Sequence, residues 1–311
     1  MRSVQFTAYG PPAVVHVTEA PEPHAGPGEI RVAVRASGVA PGEVAIRSGR
    51  LREVVPVVLP FRTGFDAAGV VDEVGAGVTG VHPGDEVFGA ADPARRGANA
   101  DFAVLTAWAP KPVEWSWEEA GGAAGAAETA TRVLDRLAVV PGQTVLVQGA
   151  AGGTGAVAVQ FAVARGATVI GTASEHNHDF LRSLGVVPAT YGPGLVGRVR
   201  ALAPAGVDAV LDCAGGALPD LVALAGDPAR VVTIADFTAR AHGVHLSHGA
   251  PAAEVGAGDP LAWHGLADAV ALAGEGRLRV PVAAAFPMDE VAAAHELVET
   301  RHARGKVVLV P

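Results

Sequence analysis

Between residues 30 and 105 the apolar positions come in short runs broken by glycine and proline: IRVAVRASGV at 30–39, AAGVVDEVG at 67–75, DEVFGA at 85–90 and ADFAVL at 100–105. Runs of this length, rich in Val and bounded by turn residues, predict strands, and residues 1–118 read as a small β-rich domain. The texture changes at WSWEEAGG, after which AAGAAETATRVLDRLA, residues 123–138, suits a helix with Leu134 and Leu137 on one side. Strands and helices then alternate through TVLVQG, GTGAVAVQFAVARG, ATVIGTAS, HDFLRSLG, VDAVLDCAGG and ARVVTIADF. Such alternation predicts parallel βαβ units, so residues 119–250 are expected to form a doubly wound α/β sheet. Beyond residue 250 come a loop with Gly and Pro, a helix around residues 261–273, a strand RVPVAAAF, a helix MDEVAAAHELVET and a strand KVVLVP. These pieces are too few to fold alone, so residues 251–311 are expected to return and complete the first domain.

The 311 residues are 50% hydrophobic and 18% charged, which suits a folded two-domain chain. The formal net charge of −9, with no basic run, opposes nucleic-acid binding. MRSVQFTAYG lacks the apolar core of a signal peptide, and no stretch of about 18 apolar residues is uninterrupted, so a cytoplasmic protein without membrane insertion is expected. Cys213 is the only cysteine, which excludes an internal disulfide and a zinc site built on several thiolates. His242, His245 and His248 lie in a Gly-bearing stretch without a convincing carboxylate partner. GVHLSHG puts His245 and His248 on opposite faces of a strand, so they read as exposed loop histidines rather than metal ligands.

The most informative stretch is VLVQGAAGGTGAVAVQ, residues 145–160. A strand ending near Val147 gives way to a glycine-rich turn and a helix opening near Gly153. Ala150 stands at the first glycine position of G-x-G-x-x-G, and Ala151, Gly152, Gly153, Thr154 and Gly155 follow. Glycines let the backbone approach a phosphate, and the orphan N–H groups at the positive end of the helix then face a diphosphate. Glycines in a strand-to-helix turn also arise for packing alone. A second strand, TVIGTAS, at the expected distance favours the dinucleotide. A carboxylate at the end of that strand would accept the ribose hydroxyls of NAD and repel a 2′-phosphate; the position holds Ala173. Ser174 can donate to a phosphate and His178 or Arg182 can bring positive charge, whereas Glu175 argues the other way if it turns inward. The balance favours NADPH.

These stretches, with GPGEIRVAVRASGV, GFDAAGVVDEVGAGVTGVHPGDEVFG, VDAVLDCAGG, RVVTIADF and RGKVVLVP, resemble the medium-chain dehydrogenase/reductase superfamily along essentially the whole chain, and within it the zinc-free quinone oxidoreductase-like branch. The resemblance implies a GroES-like N-terminal domain, a Rossmann domain and a substrate cleft between them that receives the nicotinamide. Zinc-using members carry a catalytic Cys after the Gly-Val that here is Gly38-Val39, a His after the glycine matching Gly64, and four clustered Cys for a second zinc. This chain has Ala40, Phe65 and no cluster, so no metal is expected.

The same resemblance places Thr129 near the cofactor diphosphate or nicotinamide ribose, and Tyr191 with His178 against the adenosine phosphate, with Arg301 completing that pocket. It places Cys213, Ala214 and Gly215 after the fourth strand and Ala235, Asp236 and Phe237 after the fifth, beside the nicotinamide. Cys213 reads as a small spacer rather than a reactive thiol. Relatives commonly line the substrate cleft with an Asn and a Tyr where this chain has Ala40 and Ala45, which implies a more apolar pocket or a substrate held from elsewhere. Glu43 retains an acidic position and Asp66 is a candidate partner for Arg47; both acids read first as members of structural ion pairs, with catalysis second.

The implied chemistry is hydride delivery from NADPH to a quinone or to the β-carbon of an enone, which needs alignment more than protein acids or bases. A proton for the enone comes from solvent or from Tyr9, which reads first as a packing aromatic. Two rivals stand. One is a specialised biosynthetic reductase of a bulky polyketide-like carbonyl substrate. The other, motivated by the two missing polar groups, is an NADPH-binding protein without turnover, serving a structural or regulatory role. Residues 242–264 are expected to cover the cleft mouth, with Trp263 shaping the substrate pocket or packing at a helix start. An apolar edge strand at VVTIADF or VHLS is expected to pair with its copy in a homodimer.

Overall fold

In the computed structural model, which describes residues 1–53, 55–249 and 258–311, the chain divides between two units. The first holds Met1–Ala126 and Leu266–Pro311, the second Ala127–Gly249 and Gly258–Gly265. The first opens with β1 (Arg2–Phe6), β2 (Val15–Glu19), β3 (Ile30–Val39), α1 (Pro41–Arg47), β4 (Phe61–Arg62), β5 (Asp66–Val74), β6 (Glu86–Ala90), β7 (Phe102–Leu105), β8 (Ala107–Pro110) and α2 (Trp117–Gly121). Along β3, Ile30, Val32 and Val34 are buried while Arg31, Ala33 and Arg35 are not, the two-residue alternation of a strand with one wet face; from Ala36 to Val39 every residue is buried. The helix foreseen at 123–138 is α3 (Ala124–Arg136), and α2 precedes it as a separate turn started by Ser116, whose Oγ accepts from Glu119 N–H.

The second unit continues with β9 (Thr144–Gln148), α4 (Gly153–Ala164), β10 (Thr168–Ala173), α5 (His178–Ser183), β11 (Val187–Thr190), α6 (Leu195–Leu202), β12 (Ala209–Asp212), α7 (Leu218–Ala225), β13 (Val231–Thr233) and β14 (His245–Leu246). Then follow α8 (His264–Gly274), β15 (Val282–Pro287), α9 (Val291–Glu299) and β16 (Lys306–Val310). The helix expected at 261–273 therefore starts three residues later, and Trp263 lies just before it.

The second unit contains one parallel sheet in the order β11-β10-β9-β12-β13-β14. This is the doubly wound Rossmann order, in which strand succession reverses between β9 and β12, and ligands bind beyond the carboxyl ends of the strands at that reversal. Leu146, Ile170 and Val210 from the sheet pack with Leu195, Leu218 and Leu221 from α6 and α7. Of the two stretches expected to form an edge, VVTIADF is inside the sheet, because β14 pairs with it through Val232–His245 and Thr233–Leu246, and VHLS supplies the edge. The edge on that side is the two-residue β14.

In the first unit β2-β1-β4 form a small sheet, and β15-β16-β3-β5-β6-β8 form a larger one with β7 also paired to β3. β16 joins antiparallel to β3, Val308 opposite Gly38, so the C-terminal strand completes the sheet that the N-terminal sequence begins. Phe6, Val44, Ile46, Val291 and Leu309 make one core and Ile30, Val71, Val87 and Leu105 another. No helix among the described residues is long and apolar enough to cross a membrane.

Candidate functional site

The turn from β9 to α4 is built on the backbone. Gly149 takes φ 76°, and its N–H donates to Thr172 Oγ1 at 3.0 Å, while Ala150 N–H donates to the Thr172 carbonyl at 3.0 Å. Thr172 in turn donates to Gln148 Oε1 at 2.6 Å, so the end of β10 holds the start of the turn. Gly155 has a separate reason to be glycine: a Cβ there would lie 2.2 Å from the Gly149 carbonyl oxygen. The helix can therefore approach the strand closely, as the third glycine of a dinucleotide turn requires. Gly152 caps α4 with no side-chain hydrogen bond, and Gly152, Gly153 and Thr154 are half-exposed behind the buried Ala151. The first-turn donors of α4 are thus left for a ligand, in the geometry that suits a diphosphate.

At the end of β10, Ala173 is buried and no carboxylate occupies its position. Ser174 Oγ accepts from Asn177 Nδ2 at 3.2 Å and lies 3.3 Å from His176 Nε2; Glu175 is exposed. Arg182 is paired with Asp179 on the surface of α5 at 2.6 Å. His178, the first residue of α5, has a buried Nε2 without a hydrogen-bond partner among the described residues. An orphaned polar atom within a few residues of the strand end is what a bound ribose or phosphate would satisfy, so the residues fit a nicotinamide dinucleotide. Tyr191, just past β11, is exposed.

Beyond β12 and β13 a buried acid arranges two loops, and nothing in the local sequence marks it. Asp212 accepts from Ala214 N–H at 3.0 Å, Gly215 N–H at 2.8 Å and Thr233 Oγ1 at 2.8 Å. Thr233 Oγ1 then accepts from Ala235 N–H at 3.1 Å and Asp236 N–H at 3.0 Å. Asp236 closes the pair of loops by accepting from Gly216 N–H at 2.8 Å. Burial pushes the Asp236 carboxyl up, but hydrogen bonds from the Thr238 hydroxyl and from Gly216 and Thr238 N–H hold it below its usual range. The Cys213 thiol is pushed far up by burial and by Asp212, so it stays protonated at neutral pH. Phe237 at the loop tip is exposed.

Thr129 sits half-buried on α3, donating to Glu128 Oε2 at 3.2 Å and accepting from Arg132 Nη2 at 3.3 Å. Arg132 also binds Glu128 at 2.7 Å and reaches Ser247 Oγ. The expectation that the 242–248 histidines lack a carboxylate is corrected here: His245 Nε2 lies 2.9 Å from Asp259, which also accepts from Ser247 Oγ at 2.6 Å. The local sequence hides this partner because it stands 14 residues further along the chain. His248 is half-buried and outside β14, leaving His242 as the exposed histidine of the three. Residues 250–257 of the segment expected to cover a cleft mouth lie outside the described residues. Trp263 is half-buried, and no group of three or more His, Cys, Asp or Glu among the described residues is arranged to hold a metal.

In the first unit the two acids are not paired as expected. Arg47 is fully buried and bonds Glu299 and the Gly10 carbonyl, whereas Asp66 lies 3.4 Å from Lys306 Nζ and accepts from Gly125 N–H at 2.8 Å. Among the described residues Glu43 makes no ion pair; its two oxygens accept from Ala40 N–H at 3.1 Å and Gly64 N–H at 2.6 Å. It caps α1 in place of a side chain that Ala40 lacks, and ties Ala40 to the strand approach at Gly64. Burial pushes both carboxyls up; Arg96 draws Glu43 back in part, and Lys306 does so for Asp66. Ala45 is half-buried on α1. Tyr9 packs in the Phe6 core, with ring centroids 6.1 Å apart. Arg301 is exposed in a left-handed turn after α9, φ 56°.

Comparison with known proteins agrees with this architecture. Residues 26–141 match the alcohol dehydrogenase GroES-like domain and residues 189–309 the zinc-binding dehydrogenase family. A probable quinone oxidoreductase of Leishmania amazonensis is 37% identical over 71% of this chain and 66% of its own length. The spectinabilin polyketide synthase protein NorB of Streptomyces orinoci is 37% identical over 62% of this chain, which spans 9% of the synthase. A crystal structure of an NAD-dependent alcohol dehydrogenase superposes with a TM-score of 0.85 at 30% identity, covering 100% of both chains. The chain belongs to the medium-chain dehydrogenase/reductase superfamily of oxidoreductases, in its quinone oxidoreductase-like branch.

Proposed function

We propose that this protein is a zinc-independent, NADPH-dependent reductase of a quinone or an α,β-unsaturated carbonyl compound. The observation that carries the reading is the uncapped start of α4 next to a β10 that ends in Ala173, followed by Ser174, without a carboxylate. A bound nicotinamide dinucleotide would supply the hydride. The N–H groups of Gly153, Thr154 and Gly155 would take the diphosphate, and Ser174 with His178 would take the 2′-phosphate. Asp212 and Thr233 keep the 213–216 and 235–237 loops in place, and the backbone of these loops would border the nicotinamide. Ala40 and Phe65, at the positions of zinc ligands in the zinc-using relatives, support chemistry without the metal.

The cofactor preference is open to a direct measurement. Calorimetric titration is expected to show NADPH binding at least tenfold tighter than NADH, about 1.4 kcal/mol. Ala173→Asp should remove that advantage, because a carboxylate would face the 2′-phosphate. Equal affinity of the unsubstituted protein for both cofactors sinks the assignment, and the name of the NAD-dependent relative makes that outcome worth testing.

The match to polyketide synthases favours a second reading, reduction of a bulky polyketide-like substrate. Oxidation of NADPH with a panel of simple quinones, small enones and acyl-thioester enones separates the two: turnover confined to the thioesters supports the second. Tight NADPH binding with no oxidation by any of them would leave a binding protein without turnover.

A further inference from the structure

The 2′-phosphate that separates NADPH from NADH carries close to two negative charges above about pH 7. The second unit has no lysine to meet them, because Lys111 and Lys306, the lysines of this chain, both lie in the first unit. The arginines around the end of β10 are also committed. Ala173 stands opposite Thr190 in the sheet, which sets the 190–193 turn beside Ser174. Arg198 of α6 holds that turn together. Its Nε donates to the Thr190 carbonyl at 2.9 Å, its Nη1 to that of Pro193 at 2.9 Å, and its Nη2 to those of Tyr191 at 3.2 Å and Gly192 at 3.1 Å. Arg200 turns to the Ala223 carbonyl of α7, and Arg182 neutralises Asp179. β10, β11 and α4 contain no ionisable residue.

The cations left to this end of the sheet are imidazoles. His176 Nε2 lies 3.3 Å from Ser174 Oγ on the 175–177 turn, and His178 follows at the start of α5. The two differ in their surroundings. His176 is exposed and already has the serine, whereas His178 is half-buried, and its Nε2 is shut off from solvent without a partner among the described residues. The acids of the same stretch do not neutralise it, since Glu175 is exposed and Asp179 holds Arg182. A neutral imidazole offers one N–H and one lone pair, and only the protonated ring donates from both nitrogens and carries charge. Histidine is also the side chain whose ordinary titration falls between about pH 5 and 8.

We infer that protonation of His178 sets the preference of this protein for NADPH: the charged imidazole, rather than a permanent cation, is the partner of the 2′-phosphate, so discrimination against NADH fades in alkali. This rests on the NADPH reading above. A phosphate dianion favours the charged form of a ring beside it, so the complex keeps the His178 proton to higher pH than the free protein does. Binding of NADPH in mild alkali then takes up part of a proton from solvent. NADH, with a hydroxyl in place of the phosphate, takes up none. By linkage, NADPH affinity is greatest where the ring is protonated in both states, and the gain is lost as pH rises through the titration of the complex. The ratio of the two affinities cancels whatever else titrates around the diphosphate that both cofactors share.

The test is a calorimetric titration of the full chain with NADPH and with NADH at about pH 7 and about pH 9, a range in which the 2′-phosphate stays a dianion. The NADPH-to-NADH affinity ratio is expected to fall by about threefold to tenfold across it, and the heat of NADPH binding in buffers of different ionisation enthalpy should report net proton uptake. His178→Lys should keep the ratio constant within about twofold, because an ammonium stays charged over this range. His178→Gln should lower the ratio at neutral pH by about threefold or more and abolish the proton uptake, with NADH affinity retained. A preference for NADPH that changes by less than about threefold in the unsubstituted protein overturns the inference alone. So does a pH-dependent ratio that His178→Gln leaves intact, which would place the charge on His176. Equal affinity for the two cofactors at both pH values defeats the NADPH reading and this inference with it.

Discussion

Lys306→Met is expected to destabilise the first unit by about 3–5 kcal/mol, the usual cost of leaving one partner of a buried ion pair alone. Lys306 and Asp66 are 7% and 4% exposed, and their side chains join β16 to β5 across the β3 strand between them. Asp66 holds a third element through Gly125 N–H, at the start of α3. Burial already pushes its carboxyl up against the pull of Lys306; without that cation the acid must ionise in a dry site or take up a proton. Either route costs stability at neutral pH. Trp108, Trp115 and Trp117, three of the four tryptophans, belong to this unit, so fluorescence in urea follows its unfolding. At a slope of about 2 kcal/mol per molar, the midpoint should fall by roughly 2 M. Asp66→Asn combined with Lys306→Met should recover most of the loss, since Asn can still accept from Gly125 and no charge is stranded. A single variant within about 1 kcal/mol of the unsubstituted chain contradicts the account.

That pair shows where sequence reading stops. β3, β5 and β6 lie within a residue of the apolar runs that predict them, because alternation and Gly or Pro punctuation are local signals. The opening of α4 at Gly153 and the end of β10 at Ala173 are legible for the same reason. β14 is two residues long and exists through its pairing with β13, so it carries no pattern of its own. α6, LVGRVRAL, has an interior glycine that blurs its period. Partner choice is less accessible still. Proximity in sequence points Asp66 toward Arg47, but its cation stands 240 residues away on a strand that returns late. Asp212 reads as one more residue at the end of an apolar strand, yet it organises the loops after β12 and β13, which only the tertiary neighbours reveal. The glycine turn is written in local sequence, whereas the identity of a buried polar partner is global topology.

A mild acid shift is expected to weaken the first unit through His295, with stability lost between pH 6.5 and about 4. The α9 helix buries this side chain completely, and neither ring nitrogen has a hydrogen-bond partner among the described residues. The fully buried Arg47 of α1 lies close by, its charge paired with Glu299 on the same helix as His295. Burial first and the Arg47 charge second lower the His295 pKa from 6.5 to about 4. The unfolded chain therefore takes up a proton at a pH where the folded chain does not, and stability rises with pH across that window. Each tenfold loss of proton affinity on folding is worth about 1.4 kcal/mol, so the contribution present above pH 6.5 and lost by pH 4 is roughly 3 kcal/mol. Buried Glu43 and Asp66, whose pKa values are raised, act in the opposite sense, so the wild-type curve alone does not isolate the histidine. The difference from His295→Leu does, because every other group titrates in both proteins. The leucine variant should match the unsubstituted chain within about 1 kcal/mol at pH 7.5 and exceed it by about 2–3 kcal/mol at pH 4.5. A stability difference that stays constant from pH 7.5 to 4.5 would show that His295 accepts its proton as readily in the folded protein as in the unfolded chain.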